Sequence, residues 1–198
     1  MKEKNSGKGV TVKVFNIGDK VVYPMHGAGV IQDIEEKNIL GEKEAYYIIK
    51  MPGEVKVMVP TSKAEEIGVR NIIDGDTASK VFKVLETDST EMSMNWNKRY
   101  RDNMEKMKSG DIYEIADVVR NLSFKQKEKG LSTAEKKMLT NARQILVSEL
   151  VLAESSSKDE VEEIVDNKIN TSFIEFRGIK TEGEVQADNV VKKFIPFE

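Results

Sequence analysis

The chain has 198 residues, 33% of them charged, with a formal net charge of −3 at pH 7. It contains no cysteine and a single histidine, His26, which excludes disulfides and thiol chemistry and argues against serine–histidine–aspartate catalysis. No apolar run approaches the roughly 18 residues that span a bilayer, and the polar start lacks the apolar core of a signal peptide. We therefore expect a cytoplasmic protein that is not an enzyme, needs no metal or cofactor and does not bind membranes.

The charge is distributed unevenly along the chain. Between residues 96 and 143 there are twelve Lys and Arg against seven Asp and Glu, whereas residues 149–166 hold seven acids against one lysine. A basic block followed by an acidic one indicates a single surface that faces phosphate.

The first third of the chain has the pattern of short strands. Residues 1–13 are expected to form a flexible leader, and residues 14–74 a small bent antiparallel sheet. In the turn around His26, the imidazole is expected to hydrogen-bond the local backbone. The predicted strands are Lys20–Tyr23, Ala28–Ile34, Ala45–Met51 and Glu54–Val59.

The periodicity becomes helical after Gly75, which predicts a compact domain of about five helices over residues 75–169. Ser132 and Ser157 each begin a capping box at the start of a helix. Asp111 can cap the helix that begins at Ile112. Residues 170–198 lose clear periodicity and contain two apolar clusters, at 173–176 and 194–197. Predicted inward-facing residues are Val81, Val84, Leu85, Trp96, Tyr100, Met104, Met107, Ile112, Ile115, Val119, Leu122, Met138, Leu139, Ala142, Ile145, Leu146, Leu150, Val161, Ile164 and Val165.

The only tryptophan, Trp96, stands in the basic segment Asn95–Arg101. Two interpretations are open. Cations can hold phosphates while the flat apolar ring packs on or wedges against bases. A single tryptophan at the start of a helix can equally be a core anchor.

Two groups of motifs resemble one family. Residues 15–29, FNIGDKVVYPMHGAG, resemble the opening signature of the CarD/CdnL transcription regulators, a signature shared with the polymerase-interacting module of transcription-repair coupling factors. The second half is similar to CarD and not to the coupling factors. Its matching runs are Asn95–Tyr100, Ser109–Asp111, Ala116–Arg120, Gly130–Ser132 with Glu135–Lys136, Ala142–Val147, Glu149–Leu150 and Ala153–Ser155.

The resemblance implies an α+β protein with an N-terminal Tudor/SH3-like domain that binds the RNA polymerase β subunit by strand addition. By position, it implies polymerase contacts at Lys37, Ile39 and Met58. We expect Lys56 to join them, because it lies two residues from Met58 on the same strand face. Met58 departs from the basic residue that some members carry there.

For the helical domain, the resemblance implies contact with promoter DNA at the upstream edge of the −10 region and stabilisation of the open complex. Trp96 would be a minor-groove wedge, with Lys98, Arg99, Arg101 and Lys136 near phosphates. We expect a monomer. The alternatives are a protein-interaction adaptor without DNA contact, in which Trp96 lies in the core, and a carboxylate hydrolase, for which no site is recognisable.

Overall fold

A computed structural model describes residues 15–39 and 41–178. The predicted leader and the apolar cluster at 194–197 lie outside these residues. The chain forms a sheet followed by helices, which confirms the predicted α+β architecture. No helix in the described ranges is long and apolar enough to cross a membrane.

In residues 15–39 and 41–178, five antiparallel strands form one sheet in the order β4-β3-β2-β1-β5. The middle strands are longer than predicted because the β2–β3 pairing continues into polar residues beyond the apolar run. A bulge between Ile31 and Asp33 shifts the register of this pair and bends the strand. The strands are β1 Lys20–Tyr23, β2 Gly27–Ile39, β3 Glu42–Lys50, β4 Lys56–Pro60 and β5 Arg70–Asn71.

One face of the sheet packs against a small core of its own. Alternate residues of β1, β2, β3 and β4, among them Val21, Ile31, Ile49 and Val59, are buried there. Phe15 closes this core, packing edge-on against Tyr47 with ring centroids 5.7 Å apart. A short helix, α1 Ala64–Ile67, precedes β5.

The turn between β1 and β2 differs from its predicted chemistry. The His26 ring stacks on Tyr23 with centroids 4.6 Å apart, and the backbone N–H of His26 donates to the Tyr23 carbonyl at 3.0 Å. In the described part of the chain, the imidazole thus packs on an aromatic ring and does not make the predicted backbone hydrogen bond.

Five further helices follow the sheet and share a second core. The predicted caps are confirmed, because Ser132 and Ser157 both form capping boxes and Asp111 accepts a hydrogen bond from Tyr113 N. The predicted stripes of the fourth and fifth helices are buried. The helices are α2 Gly75–Leu85, α3 Trp96–Ser109, α4 Ile112–Glu128, α5 Thr133–Glu154 and α6 Lys158–Arg177.

Three details of the helical domain differ from prediction. The buried face of α3 carries Arg99, Asn103 and Met107, so it is rotated away from Trp96, which is exposed. Ile164 is likewise exposed. Helix α6 continues past the predicted boundary at residue 169, because Phe173 packs edge-on against Phe124 with centroids 5.2 Å apart.

Helix α5 joins the helices to the sheet. Ser148 Oγ accepts a hydrogen bond from Ala28 N at 2.8 Å. A Cβ at Gly27 would lie 2.4 Å from the same oxygen, so only glycine permits this close approach. Glu149 is fully buried and accepts two hydrogen bonds from Arg70, at 2.6 and 2.9 Å, and one from Ile73 N at 3.0 Å. The two parts therefore meet through a buried polar contact as well as by packing.

Candidate nucleic-acid and polymerase interfaces

Trp96 is the first residue of α3 and is 43% exposed. The side chain of Asn95 caps this helix by accepting a hydrogen bond from Lys98 N at 3.0 Å. The indole Nε1 donates to Ser132 Oγ at 3.1 Å, and the ring stacks on Tyr100 with centroids 5.6 Å apart. The ring is therefore held in place while part of its apolar surface faces solvent, which contradicts the interpretation of Trp96 as a core anchor.

The position of the indole depends on a buried ion pair beneath it. Glu135 is 1% exposed and accepts hydrogen bonds from Arg99 Nε at 2.7 Å, Ser132 N at 3.0 Å and Ser132 Oγ at 2.8 Å. The capping box of α5 thus supplies both the acceptor for Trp96 and the carboxylate for Arg99. Through it, the first turn of α3 is fixed to the first turn of α5.

The expectation that Arg99 lies near phosphates does not agree with the structure. Arg99 is 9% exposed, and besides Glu135 its Nη1 donates to the carbonyls of Ser93 at 2.8 Å and Met94 at 3.3 Å. Its Nε and Nη1 donors are thus used within the protein. A guanidinium that makes several hydrogen bonds to fixed acceptors positions the chain around it, so we assign Arg99 the role of positioning Trp96.

The environment of Glu135 predicts that the stability of the fold depends on pH. Burial would raise the pKa of its carboxyl, but the hydrogen bonds from the Ser132 backbone and the Arg99 guanidinium outweigh burial and lower the pKa. A folded-state pKa below the unfolded value stabilises the protein above the unfolded pKa, and this contribution is lost as pH falls through the folded pKa.

We therefore expect Glu135→Gln to be less stable than the wild type at neutral pH, with the difference shrinking below about pH 4.3. Urea unfolding at pH 7, 5, 4 and 3 measures the free energy of unfolding of both proteins. A difference that stays constant over this range would contradict the assigned role of the carboxylate.

The other predicted cations are exposed. Lys98 and Lys136 lie near the N-terminal ends of α3 and α5, the two ends that meet at Trp96, and Arg101 lies one turn further along α3. The structure therefore brings the N-terminal turn of α5, which carries Lys136, next to Trp96 and Lys98, although the two segments are far apart in sequence.

A second buried polar group, missed by the sequence analysis, fixes the segment that leads to Trp96. Thr90 N donates to Asn121 at 3.0 Å, and Thr90 Oγ1 donates to Asp117 at 3.1 Å. Asp117 also accepts from Lys106 at 2.5 Å and pairs with Arg120. Burial would lower the pKa of Lys106, but the hydrogen bond and charge of Asp117 outweigh it and raise the pKa. The sequence signal that could have predicted this group is the run of polar residues, Asp117, Arg120 and Asn121, within the otherwise apolar α4.

The four predicted polymerase contacts lie on one face of the sheet. Ile39 and Met58 are 42% and 49% exposed, and Lys37 forms an ion pair with Glu35 at 2.9 Å. In the described residues, β4 pairs only with β3, which leaves its other edge open. Residues separated by even numbers along a strand project from one face. On β3, Lys37 pairs with Glu44 and Ile39 with Glu42, while Lys56 pairs with Lys50 and Met58 with Ile48. These four partners are separated by even numbers along β3, so the predicted contacts project from the same face.

Comparison with known proteins agrees with this division into sheet and helices. Residues 15–73 match the family model described as CarD-like/TRCF RID domain, the polymerase-interacting domain, and residues 80–166 match the CarD C-terminal domain. The chain is similar to "Putative transcription factor YdeB" of Bacillus subtilis (strain 168), with 41% identity over 149 residues, which cover 75% of this chain and 97% of the relative. The chain therefore belongs to the CarD family of transcription factors and carries that family's RNA-polymerase-interacting domain.

Proposed function

We propose that this protein binds the RNA polymerase β subunit through its sheet and stabilises the promoter open complex through Trp96. The observation that carries the proposal is the tryptophan, which is exposed yet fixed by Ser132 and Tyr100. An aromatic side chain that is already ordered loses little conformational entropy when it packs against a base. Such a ring at the upstream fork would support the widened minor groove and slow reannealing of the strands.

The open edge of β4 supports binding by strand addition. An added strand from the β subunit would gain main-chain hydrogen bonds along this edge, while side chains on the exposed face would set specificity. Lys56 and Met58 lie on that strand, and Lys37 and Ile39 extend the same face along the β2–β3 hairpin.

Direct affinity for DNA is expected to be weak. The net charge is −3, and the cations proposed to face phosphate are Lys98, Arg101 and Lys136. Since Arg99 is engaged with Glu135, few counterions would be released on binding. Tethering to polymerase compensates by raising the effective concentration of Trp96 at the fork. Specificity then comes from a DNA shape that exists only at the edge of the bubble. The protein would act in the cytoplasm, as a monomer bound to polymerase.

The adaptor alternative, without DNA contact, requires Trp96 in the core. Trp96 is exposed, which contradicts a position in the core. An exposed indole is expected to emit at long wavelength and to be accessible to a soluble quencher, and addition of a promoter fork bound to polymerase should protect it.

Met58→Asp is expected to weaken binding to the β subunit about tenfold or more, because it replaces an exposed apolar side chain of the proposed contact face with a carboxylate. A pull-down with a β-subunit fragment, titrated to give Kd, measures this. Ile17→Asp is the matched control, since Ile17 is an exposed apolar residue of the same domain but precedes β1. Equal affinity of Met58→Asp and wild type would overturn the assigned contact face.

A further inference from the structure

A groove of about 740 Å³ lies between the sheet and the helices. This volume falls within the range of ligand pockets, about 300–1,000 Å³. One wall is formed by β2 and the turn after β3, and the other by the C-terminal half of α5 and the first two turns of α6. The groove therefore offers an apolar surface to which both parts of the protein contribute. Its large apolar lining residues are Val30, Met51, Pro52, Val147, Val151 and Leu152.

The cations that line this groove are engaged with carboxylates of the same chain. Lys50 pairs with Glu54 at 2.8 Å, Arg143 with Asp166 at 2.7 Å and Lys158 with Glu162 at 3.5 Å. Because these charges are already balanced, burial of apolar surface is the main attraction that the groove offers to an occupant.

The chain itself carries an apolar segment without an assigned role. Residues 194–197, Phe-Ile-Pro-Phe, lie outside the described residues. The match to the CarD C-terminal domain ends at residue 166, and the Bacillus subtilis relative aligns with 75% of this chain. The family match therefore assigns nothing to this cluster. Two phenylalanines and an isoleucine within four residues gain free energy when they are removed from water.

The cluster is close enough along the chain to reach the groove. Helix α6 begins beside the groove, where Lys158 contributes to the lining, and it ends at Arg177. The two ends of the helix are about 28 Å apart, at about 1.5 Å per residue. Residues 179–193 can span up to about 50 Å, since an extended chain covers about 3.3–3.6 Å per residue. The segment is thus long enough to return along α6 to the groove.

Charges beside the groove complement those that precede the cluster. Lys192 and Lys193 directly precede the first phenylalanine. On α6, Asp159 lies three residues before the groove residue Glu162 and is therefore its neighbour on the helix surface. Asp159 is exposed and forms no ion pair with any residue of the described ranges. The acidic block at residues 149–166 can thus attract the two lysines.

We propose that residues 192–198 dock in this groove of their own chain, with the apolar cluster against its walls and the two lysines towards Asp159. A segment bound there contacts the sheet and the helices at once. It would therefore help to hold the sheet in one orientation relative to α5. The inference is independent of the polymerase and DNA contacts proposed above, because it concerns only the junction of the two parts.

The test uses the full chain and a single nitroxide label. Because the chain contains no cysteine, one introduced thiol is a unique labelling site. Gln144→Cys places the label on α5 at an exposed residue of the groove lining. NMR then measures paramagnetic broadening of the backbone amides. The amides of the cluster should be broadened strongly, and more than those of residues 183–187.

Lys129→Cys is the matched control for the label position. Lys129 is exposed at the end of α4, near the start of the segment, because its neighbour Glu128 pairs with Arg177. A nitroxide there should broaden the residues that directly follow Gly178 and spare the cluster. Equal broadening of the cluster from both label positions would overturn the proposal.

Variants of the segment test which side chains hold it. Phe194→Asp combined with Phe197→Asp should abolish the broadening caused by the label at residue 144, because carboxylates are costly to bury in an apolar groove. Val185→Asp changes an apolar residue of the same segment outside the cluster and should leave the broadening unchanged. Broadening that survives the double substitution would contradict docking of the cluster.

A mixed sample identifies the source of the occupant. Nitroxide-labelled chains without isotope are mixed with isotope-labelled chains without nitroxide. Docking within one chain predicts no broadening of the cluster in this mixture. Broadening there would show that the groove takes the cluster of a second copy, which would overturn docking within the chain.

Discussion

Replacement of Trp96 by alanine is expected to shorten the lifetime of the promoter open complex roughly five- to hundredfold. Stacking of an aromatic side chain on a base contributes about 1–3 kcal/mol, and each 1.4 kcal/mol changes a rate about tenfold. The full contribution should be lost because no neighbouring aromatic ring can take its place, Tyr100 being packed behind it. The measurement is the decay of preformed complexes after addition of a competitor.

The same variant should keep its fold and its affinity for polymerase, because Trp96 is 43% exposed and lies in the helical domain. Thermal unfolding and a β-subunit pull-down check both points. Tyr113→Ala is the matched control, since Tyr113 is an exposed aromatic residue at the start of α4. An unchanged lifetime for Trp96→Ala, with polymerase still bound, would refute the wedge.

The second large effect is expected at the junction of sheet and helices. Glu149→Ala should lower the free energy of unfolding by about 3 kcal/mol, the lower end of the range for a buried ion pair, because the partly buried guanidinium of Arg70 loses its carboxylate. Ile73 N would lose its acceptor as well. Urea unfolding followed by circular dichroism measures the change.

Two further variants test whether the loss of stability in Glu149→Ala comes from the unpaired charge of Arg70. Asp166→Ala breaks a pair with Arg143 whose atoms are 2.7 Å apart and whose carboxylate is 54% exposed, and should cost no more than about 1 kcal/mol. Arg70→Met combined with Glu149→Leu should recover most of the lost stability, because two apolar residues leave no uncompensated charge. A Glu149→Ala variant as stable as Asp166→Ala would show that the pair does not hold the junction.

Helix α5 gives the two expected effects a common structural basis. Its C-terminal half contacts the sheet through Ser148 and Glu149. Its N-terminal turn holds Trp96 through the capping residue Ser132. Ser132 and Ser148 are about 25 Å apart along the helix, since an α-helix rises about 1.5 Å per residue. A sheet bound to polymerase would therefore place the tryptophan at a fixed distance through one continuous helix.

Local signals in the sequence were sufficient to predict four of the strands and the helical domain, but not α1 or β5. Turn residues and apolar alternation gave the first strand at its observed bounds, and the capping boxes at Ser132 and Ser157 marked two helix starts. These features depend on neighbours within a few residues. Strands β2 and β3 and helix α6 are longer than predicted because their ends are held by pairing and packing with distant segments, as Phe173 is by Phe124.

The role of Arg99 could not be predicted in the same way. On a helical wheel, Trp96 and Arg99 lie close enough in angle that either could face the core, so the pattern alone left the burial of Trp96 open. The deciding contact is with Glu135, 36 residues away, and it buries the arginine instead. The pairing of Arg70 with Glu149 spans 79 residues and left no local signal either. Hydrophobic periodicity does not predict charge pairs between residues that are far apart in sequence.

The most direct test of the account locates residue 96 in the promoter complex. Trp96→p-benzoylphenylalanine places a photoreactive group at this position, and irradiation of the assembled complex reports what it touches. The account predicts cross-links to DNA at the upstream edge of the melted region, present only with polymerase and lost when Met58→Asp is added. Cross-links to polymerase alone, or to DNA without polymerase, would contradict it.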